Sequence, residues 1–141
     1  MCSSDLKAKA PLLVVGSGPD EDSLKRLASH DPRIHFLGHV DEFRLKQLYA
    51  DSIAHIFTPI SEDLGLITWE SFLAGKPVLT SEDSGEPALI VNHGKTGFVT
   101  MPTPDAIAER INWMDVNRGK TSEMKQACRE KVGEITWDRV V

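Results

Sequence analysis

The alternation of short apolar runs with helical patterns constrains this chain more than any other feature. Residues 11–15 read Pro-Leu-Leu-Val-Val and 33–37 read Arg-Ile-His-Phe-Leu; further short runs lie at 54–57, 78–80 and 98–99. Runs this short cannot make a helix of useful length. Their continuity fits strands buried on both faces, where alternation with polar residues is lost. A helical pattern separates each from the next. Asp20 stands where a helix cap is needed for residues 21–29, with Leu24 and Leu27 on one side. Asp41 does the same for a helix through Tyr49, whose apolar positions are Phe43, Leu45, Leu48 and Tyr49. A third helix is predicted over 66–74, closed by Gly75, with Pro77 blocking its continuation. A short helix follows at 88–91, then an amphipathic one at 104–114 with Ile107, Ala108 and Ile111 on one face. Helical stretches at 122–132 and from Trp137 onward finish the chain. Strand-helix alternation from end to end predicts an α/β fold: a doubly wound, mostly parallel sheet with helices on both faces.

Length permits one domain with a real core and is short for two: 141 residues, with 1–10 read as a tail and 11–141 as a single domain. The net charge of −5 and the lack of a long Lys/Arg run argue against a nucleic-acid partner. No apolar run is long enough to span a membrane, and the N-terminus lacks a signal-peptide core. Cys2 and Cys128 make no metal-ligand spacing, and the plain reading is free thiols in a reducing, cytoplasmic compartment.

In a doubly wound fold, ligands bind beyond the carboxyl ends of the strands. Three loops follow strands: Gly16-Ser17-Gly18-Pro19, Gly38-His39-Val40, and the segment Ser61-Glu62-Asp63-Leu64-Gly65-Leu66. The last carries the most chemistry. A glycine turn opening a helix offers free backbone N–H groups and partial positive charge, which suit a phosphate. Glu62 and Glu70 flank that junction, and ionised carboxylates accept hydrogen bonds from hydroxyls. Phosphate flanked by hydroxyls describes a sugar nucleotide. The plainer reading of each glutamate is a surface charge or a helix-dipole partner. Glu70 stands among Trp69, Phe72, Leu73 and Ala74, in a helix expected to be largely buried, where a carboxylate needs partners.

The other candidates are weaker. The 16–19 loop lacks the third glycine of the dinucleotide fingerprint, and Pro19 removes a donor; it is a strand-to-helix turn or a wall beside a ligand. Gly94-Lys95-Thr96-Gly97 has the P-loop order but precedes a strand and has Leu89 where the upstream glycine belongs. Of the five histidines, none pair at metal-binding spacing. His55 reads as structural, and His39 is placed on the ligand edge. No serine sits in a nucleophile elbow.

Several segments, taken in order, resemble one family. Leu-Val-Val-Gly-Ser-Gly-Pro at 13–19 resembles its strand-plus-GxGP opening. Ile34-His35-Phe36-Leu37-Gly38-His39-Val40, then Leu45 and Leu48-Tyr49-Ala50, resembles its FLG-V…LY-A segment. Residues 62–70 resemble its paired-glutamate motif EGFGL…E. Ala74-Gly75-Lys76-Pro77-Val78, Gly94-Lys95-Thr96-Gly97-Phe98-Val99 and Trp137-Asp138-Arg139 follow at familiar distances. Over nearly all of residues 11–141 the chain resembles the C-terminal, donor-binding domain of a GT-B glycosyltransferase, in family 4 of the retaining enzymes.

The resemblance implies a Rossmann-like half of a GT-B fold and a nucleotide-diphosphate sugar as donor, with mannosyl or glucosyl transfer favoured. Glu62 would meet hydroxyls of the transferred sugar as the catalytic-site glutamate, and Glu70 the ribose. Backbone amides at Gly65, Leu66 and Ile67 would hold the diphosphate. Gly18, Gly38 and Val40 would border the nucleotide. It implies front-face attack, with the leaving phosphate accepting the proton, and neither a metal nor another cofactor. The family's diphosphate-binding Arg and Lys and its acceptor domain precede the strand at residue 11, so this chain alone is expected to be inactive. Exposed apolar surface at the docking face would favour a dimer, and the full-length protein could contact a membrane peripherally. A non-catalytic nucleotide-sugar-binding or regulatory module, and a GT-B epimerase or phosphorylase, are the rival readings. Four positions depart from the family pattern: Asp63 for glycine, Leu64 for phenylalanine, Glu86 for the second glycine of an SGGP loop, and Leu89 for glutamate.

Overall fold

The structure, a computed structural model, describes residues 9–133. The expected helix from Trp137, the Trp137-Asp138-Arg139 match and Cys2 lie outside the described residues. Strands and helices alternate as β1 (Leu12–Val15), α1 (Glu21–Ala28), β2 (Ile34–Gly38), α2 (Glu42–Asp51), β3 (His55–Ile56), α3 (Leu66–Leu73), β4 (Val78–Ser81), α4 (Glu86–Ile90), β5 (Gly97–Thr100), α5 (Pro104–Val116) and α6 (Arg118–Gly133). The crossovers β1-α1-β2, β3-α3-β4 and β4-α4-β5 each return to a parallel strand, and every pairing within a sheet is parallel. This is the expected α/β architecture, with its strands divided between two sheets.

One sheet is β1–β2, in register from Leu12 opposite Ile34 to Val15 opposite Gly38, with an irregularity between Val14 and Val15. The other has the order β3–β4–β5. No strand pairing joins them among the described residues, so β1, β2, β3 and β5 each keep one edge unpaired there. β4, paired on both sides, has all four residues buried. Gly97 opens β5 with φ +149°, and a Cβ there would stand 1.9 Å from the Val78 carbonyl oxygen. Only glycine allows β5 to approach β4 this closely.

The core lies around this second sheet. Phe72, Val78, Leu79, Ile90, Val91, Phe98, Met114, Met124 and Cys128 form one buried cluster. Trp113 meets the Phe98 ring edge-on at 5.0 Å between centroids. Cys128 is a free buried thiol, and burial pushes its pKa up to about 12, so it acts as a small hydrophobe.

Four expectations fail. β1 is an apolar run but not a buried strand: Leu12, Leu13 and Val15 are 38%, 46% and 40% exposed, because a strand paired on one edge and partly covered keeps its side chains in water. Helix α3 is not largely buried either. It buries Thr68, Ser71 and Phe72 and turns Leu66, Ile67, Glu70 and Leu73 outward. Asp20 does not cap α1 through its side chain: its backbone sits near the helical region (φ −92°, ψ 3°), where the carboxylate cannot reach the free N–H groups. Asp41, with extended backbone, does cap α2, accepting from the Arg44 N–H at 2.7 Å. Helix α6 also starts earlier than expected, at Arg118 rather than 122, because Asn117 accepts from the Thr121 N–H and Arg118 pairs with Asp115.

Candidate functional site

Beyond the carboxyl end of β3, the chain enters the glutamate loop through Ser61, the one non-glycine residue with positive φ (+53°) among the described residues. A left-handed serine is held there by its surroundings. The Ser61 N–H donates to the Asp83 carbonyl at 2.9 Å, the Glu62 N–H to Ser84 at 3.0 Å, and the Glu86 N–H to the Glu62 carbonyl at 2.8 Å. The loop after β4 thus clamps Glu62 by its backbone. Gly85 makes this possible: with φ +75°, a Cβ there would stand 2.5 Å from the Glu62 carbonyl oxygen. Gly65 is constrained in the same way, left-handed at φ +55° and with Pro87 Cγ 2.9 Å from where a Cβ would lie. These two glycines fit the glutamate loop and the start of α3 against the 84–87 loop.

Glu62 is half-buried, and its Oε1 accepts long bonds from the Leu64 and Gly65 N–H groups, at 3.3 and 3.5 Å. The Gly65 amide therefore faces its own glutamate. The amides of Leu66 and Ile67, first in α3, have no hydrogen-bond partner among the described residues. They are two of the orphan donors every helix start carries. No acidic side chain occupies the first turn to compete with an anion.

Glu70 lies one turn into α3 and is exposed. Its Oε2 accepts from the Tyr49 phenol of α2 at 2.8 Å. Burial, then the bond to Glu70, raises the Tyr49 pKa above its ordinary value and keeps the phenol a donor. The Tyr49 ring meets His55 edge-on at 4.2 Å. His55 is structural, as the sequence suggested. Its Nε2 lies 2.8 Å from Ser52 Oγ and its Nδ1 2.6 Å from Ser71 Oγ, while Ser71 donates to the Lys76 carbonyl at 2.9 Å. Burial first, and the Lys76 charge second, push the imidazole down to about 4, so the ring is neutral at pH 7.

The structure thus brings Glu62, Gly65, Leu66, Ile67 and Glu70 to one loop-helix junction. Gly18 and Val40 sit beyond the carboxyl ends of β1 and β2, and Gly38 is the last residue of β2. No hydrogen bond links these three to the junction among the described residues. Gly38 needs its positive φ of +63°, whereas a Cβ at Gly18 would meet nothing within 4 Å. His39, Asp63 and Leu89 are exposed. Glu86 points Oε2 into a buried position with no hydrogen-bond partner among the described residues. Sequence reading took Tyr49 as an apolar helix position and missed its part in the site. The available signal was its hydroxyl, which a half-buried tyrosine must place somewhere. A cavity of about 350 Å³, lined by Lys76, Lys125 and Arg129 among others, opens at the amino ends of β3 and β4, on the edge opposite the glutamates.

A parallel α/β unit with a glycine-opened helix start and flanking carboxylates at its strand ends belongs to the Rossmann-like class. The model of the glycosyl transferases group 1 family matches residues 2–131, and the chain belongs to that family. It is 32% identical over 130 residues to the D-rhamnosyltransferase WbpZ of Pseudomonas aeruginosa, covering 89% of this chain and 34% of that protein. It is 32% identical over 142 residues to the GDP-mannose-dependent alpha-(1-6)-phosphatidylinositol monomannoside mannosyltransferase of Mycobacterium tuberculosis, covering 92% of this chain and 36% of that protein. Among solved structures, Anabaena HepE in complex with UDP and glucose superposes with a TM-score of 0.75 at 26% identity, over 92% of this chain and 38% of HepE. The fold is that of a GT-B glycosyltransferase domain. The chain spans about a quarter to a third of the length of the curated relatives it matches.

Proposed function

We propose that the chain is the donor-binding domain of a retaining glycosyltransferase that transfers a hexose from a nucleotide diphosphate to an acceptor hydroxyl. The observation carrying this reading is the junction at Gly65: two unpartnered amides at the start of α3 between a clamped Glu62 and an exposed Glu70. The diphosphate would lie on the Leu66 and Ile67 N–H groups. Negative charge that develops as the sugar–phosphate bond breaks meets fixed donors and the positive end of the helix there. Glu62 would accept from hydroxyls of the sugar, and Glu70 from those of the ribose. Gly38 and Val40 would border the base, with Gly18 beside the phosphates. The mannosyltransferase relative and the UDP-and-glucose complex support a nucleotide-sugar donor.

Glycosyl transfer draws much of its rate from holding donor and acceptor together. The acceptor site belongs, in this reading, to a further domain of the whole protein. The isolated chain is accordingly expected to bind donor and to transfer none. Calorimetry with UDP-, GDP- and ADP-sugars tests the site: one nucleotide class binds, and Glu70→Ala weakens it by at least tenfold. Equal binding by wild type and variant removes Glu70 from the site. Sugar transfer by the isolated chain would refute the division of labour between domains.

A further inference from the structure

The geometry points to Tyr49 as a positioning residue for Glu70, fixing how that carboxylate meets the nucleotide ribose; this rests on the donor-binding reading above. Glu70 is exposed, on a helix whose outward face is otherwise Leu66, Ile67 and Leu73. An exposed glutamate ordinarily samples several rotamers. Here one oxygen is committed, since Oε2 accepts from the Tyr49 phenol at 2.8 Å, while Oε1 has no partner among the described residues.

Tyr49 is itself held from below. Its ring rests edge-on against His55, and the Ser52 hydroxyl lies between the Tyr49 carbonyl, at 3.0 Å, and His55 Nε2. On its other side His55 reaches Ser71, the residue next to Glu70, which is fully buried. The neutral ring has one N–H, so it donates to one of the two serine hydroxyls and accepts from the other. One imidazole therefore supports both the phenol and the turn of α3 that bears the carboxylate. The Lys76 ammonium donates to the Ser52 carbonyl at 2.7 Å and ties the end of α2 to the same frame.

The consequence is a built acceptor pair. Oε1 of Glu70 is aimed and free to accept from one ribose hydroxyl. The Tyr49 oxygen, its proton spent on Glu70, offers lone pairs to the neighbouring hydroxyl. A vicinal diol suits this pair, and a ribose lacking its hydroxyls does not.

The test is calorimetric titration of the chain with UDP, GDP and ADP and with their 2′,3′-dideoxy forms, on wild type, Tyr49→Phe, Glu70→Ala and the double variant. Phenylalanine keeps the ring against His55. For whichever nucleotide binds, Tyr49→Phe is expected to weaken the ribose form about 3- to 10-fold, the scale of one net hydrogen bond. The dideoxy form should bind both proteins equally. Tyr49→Phe should cost less in the Glu70→Ala background than in the wild type, because the positioning part of its effect needs Glu70. Unchanged ribose binding in Tyr49→Phe, or equal loss for both sugar forms, overturns the positioning role while leaving the donor site standing. No binding of any of the three nucleotides to the wild-type chain overturns the donor reading and this inference with it, and no effect of Glu70→Ala removes Glu70 from the site and overturns this inference.

Discussion

The two sheets are built from similar pieces and reach different states. β1 reads Leu-Leu-Val-Val, and three of its four residues are exposed. β4 reads Val-Leu-Thr-Ser, half polar, and all four residues are buried. Among the described residues, none before Gly65 is buried, and the whole core cluster comes from Phe72 onward. The difference lies in neighbours. β4 has a strand on either side, and α3, α4 and α5 pack on it. β1 has β2 alone, and an unpaired edge. Apolar content says that a strand is meant for an interior; pairing decides whether it gets one.

The largest test of this contrast is a pair of glycines. Gly97→Ala would force a Cβ to 1.9 Å from the Val78 carbonyl oxygen, where no flexible side chain can give way. A loss above about 4 kcal/mol is expected, enough to unfold a marginal domain. Gly18→Ala, with open space around it, should leave the urea midpoint unchanged. A folded Gly97→Ala of near wild-type stability would break the account of β5 docking. Next comes a pair of phenylalanines. Phe72→Ala should cost about 3–5 kcal/mol, since the ring is 0% exposed. Phe43→Ala, at 72% exposed on α2, should stay within about 0.5 kcal/mol. Both are read by urea denaturation followed by circular dichroism, and equal costs would mean that the first half hides a core of its own.

Much of this was legible in the sequence, for reasons that are local. Helix stops at Gly75 and starts at Asp41 are backbone chemistry within a few residues, and so is the glycine that opens α3. The glutamate pair was legible because spacing along a loop and a helix fixes both positions. What could not be read depends on distant chain. Gly85 is required by the Glu62 backbone 23 positions earlier, a contact that the local string does not show. Tyr49 reaches Glu70 across 21 positions. The burial of Ser71 in α3 follows from its polar partners, the His55 ring and the Lys76 carbonyl, which only the folded chain assembles.

The His55 frame joins the two regions, because Tyr49 and Ser52 come from the first half and Ser71 from the second. Its pKa of about 4 lies below the unfolded value near 6.5, so the unfolded chain takes up protons that the folded one refuses. The stability associated with the neutral ring is complete above pH 6.5 and is lost as pH falls from 6.5 through 4. At most this amounts to roughly 3 kcal/mol, with a steepest slope of about 1.4 kcal/mol per pH unit. His55→Gln cannot titrate there. Unfolding free energies of both proteins between pH 7.5 and 4 should therefore converge as pH falls. A constant difference between them would show that the ring is not held neutral.

The smallest effects separate the two caps within the first half, where both helices lack buried residues. Asp41 accepts from the Arg44 N–H at 2.7 Å, so Asp41→Ala leaves an N–H at the start of α2 without that partner. About 1 kcal/mol is the usual cost. Asp20 makes no such bond, and Asp20→Ala should cost a few tenths of a kcal/mol or less. The two losses reach the same measurement by different routes. If the first half unfolds together with the core, Asp41→Ala lowers the single transition measured by circular dichroism. If the first half opens by itself, the global transition keeps its midpoint, and native-state hydrogen exchange at α2 carries the loss instead. The Tyr49–Glu70 bond and the Lys76–Ser52 bond cross between α2 and the second sheet's elements, which argues for the first outcome. An unchanged midpoint with faster exchange at α2 would show that these bonds align the two regions without making them one cooperative unit.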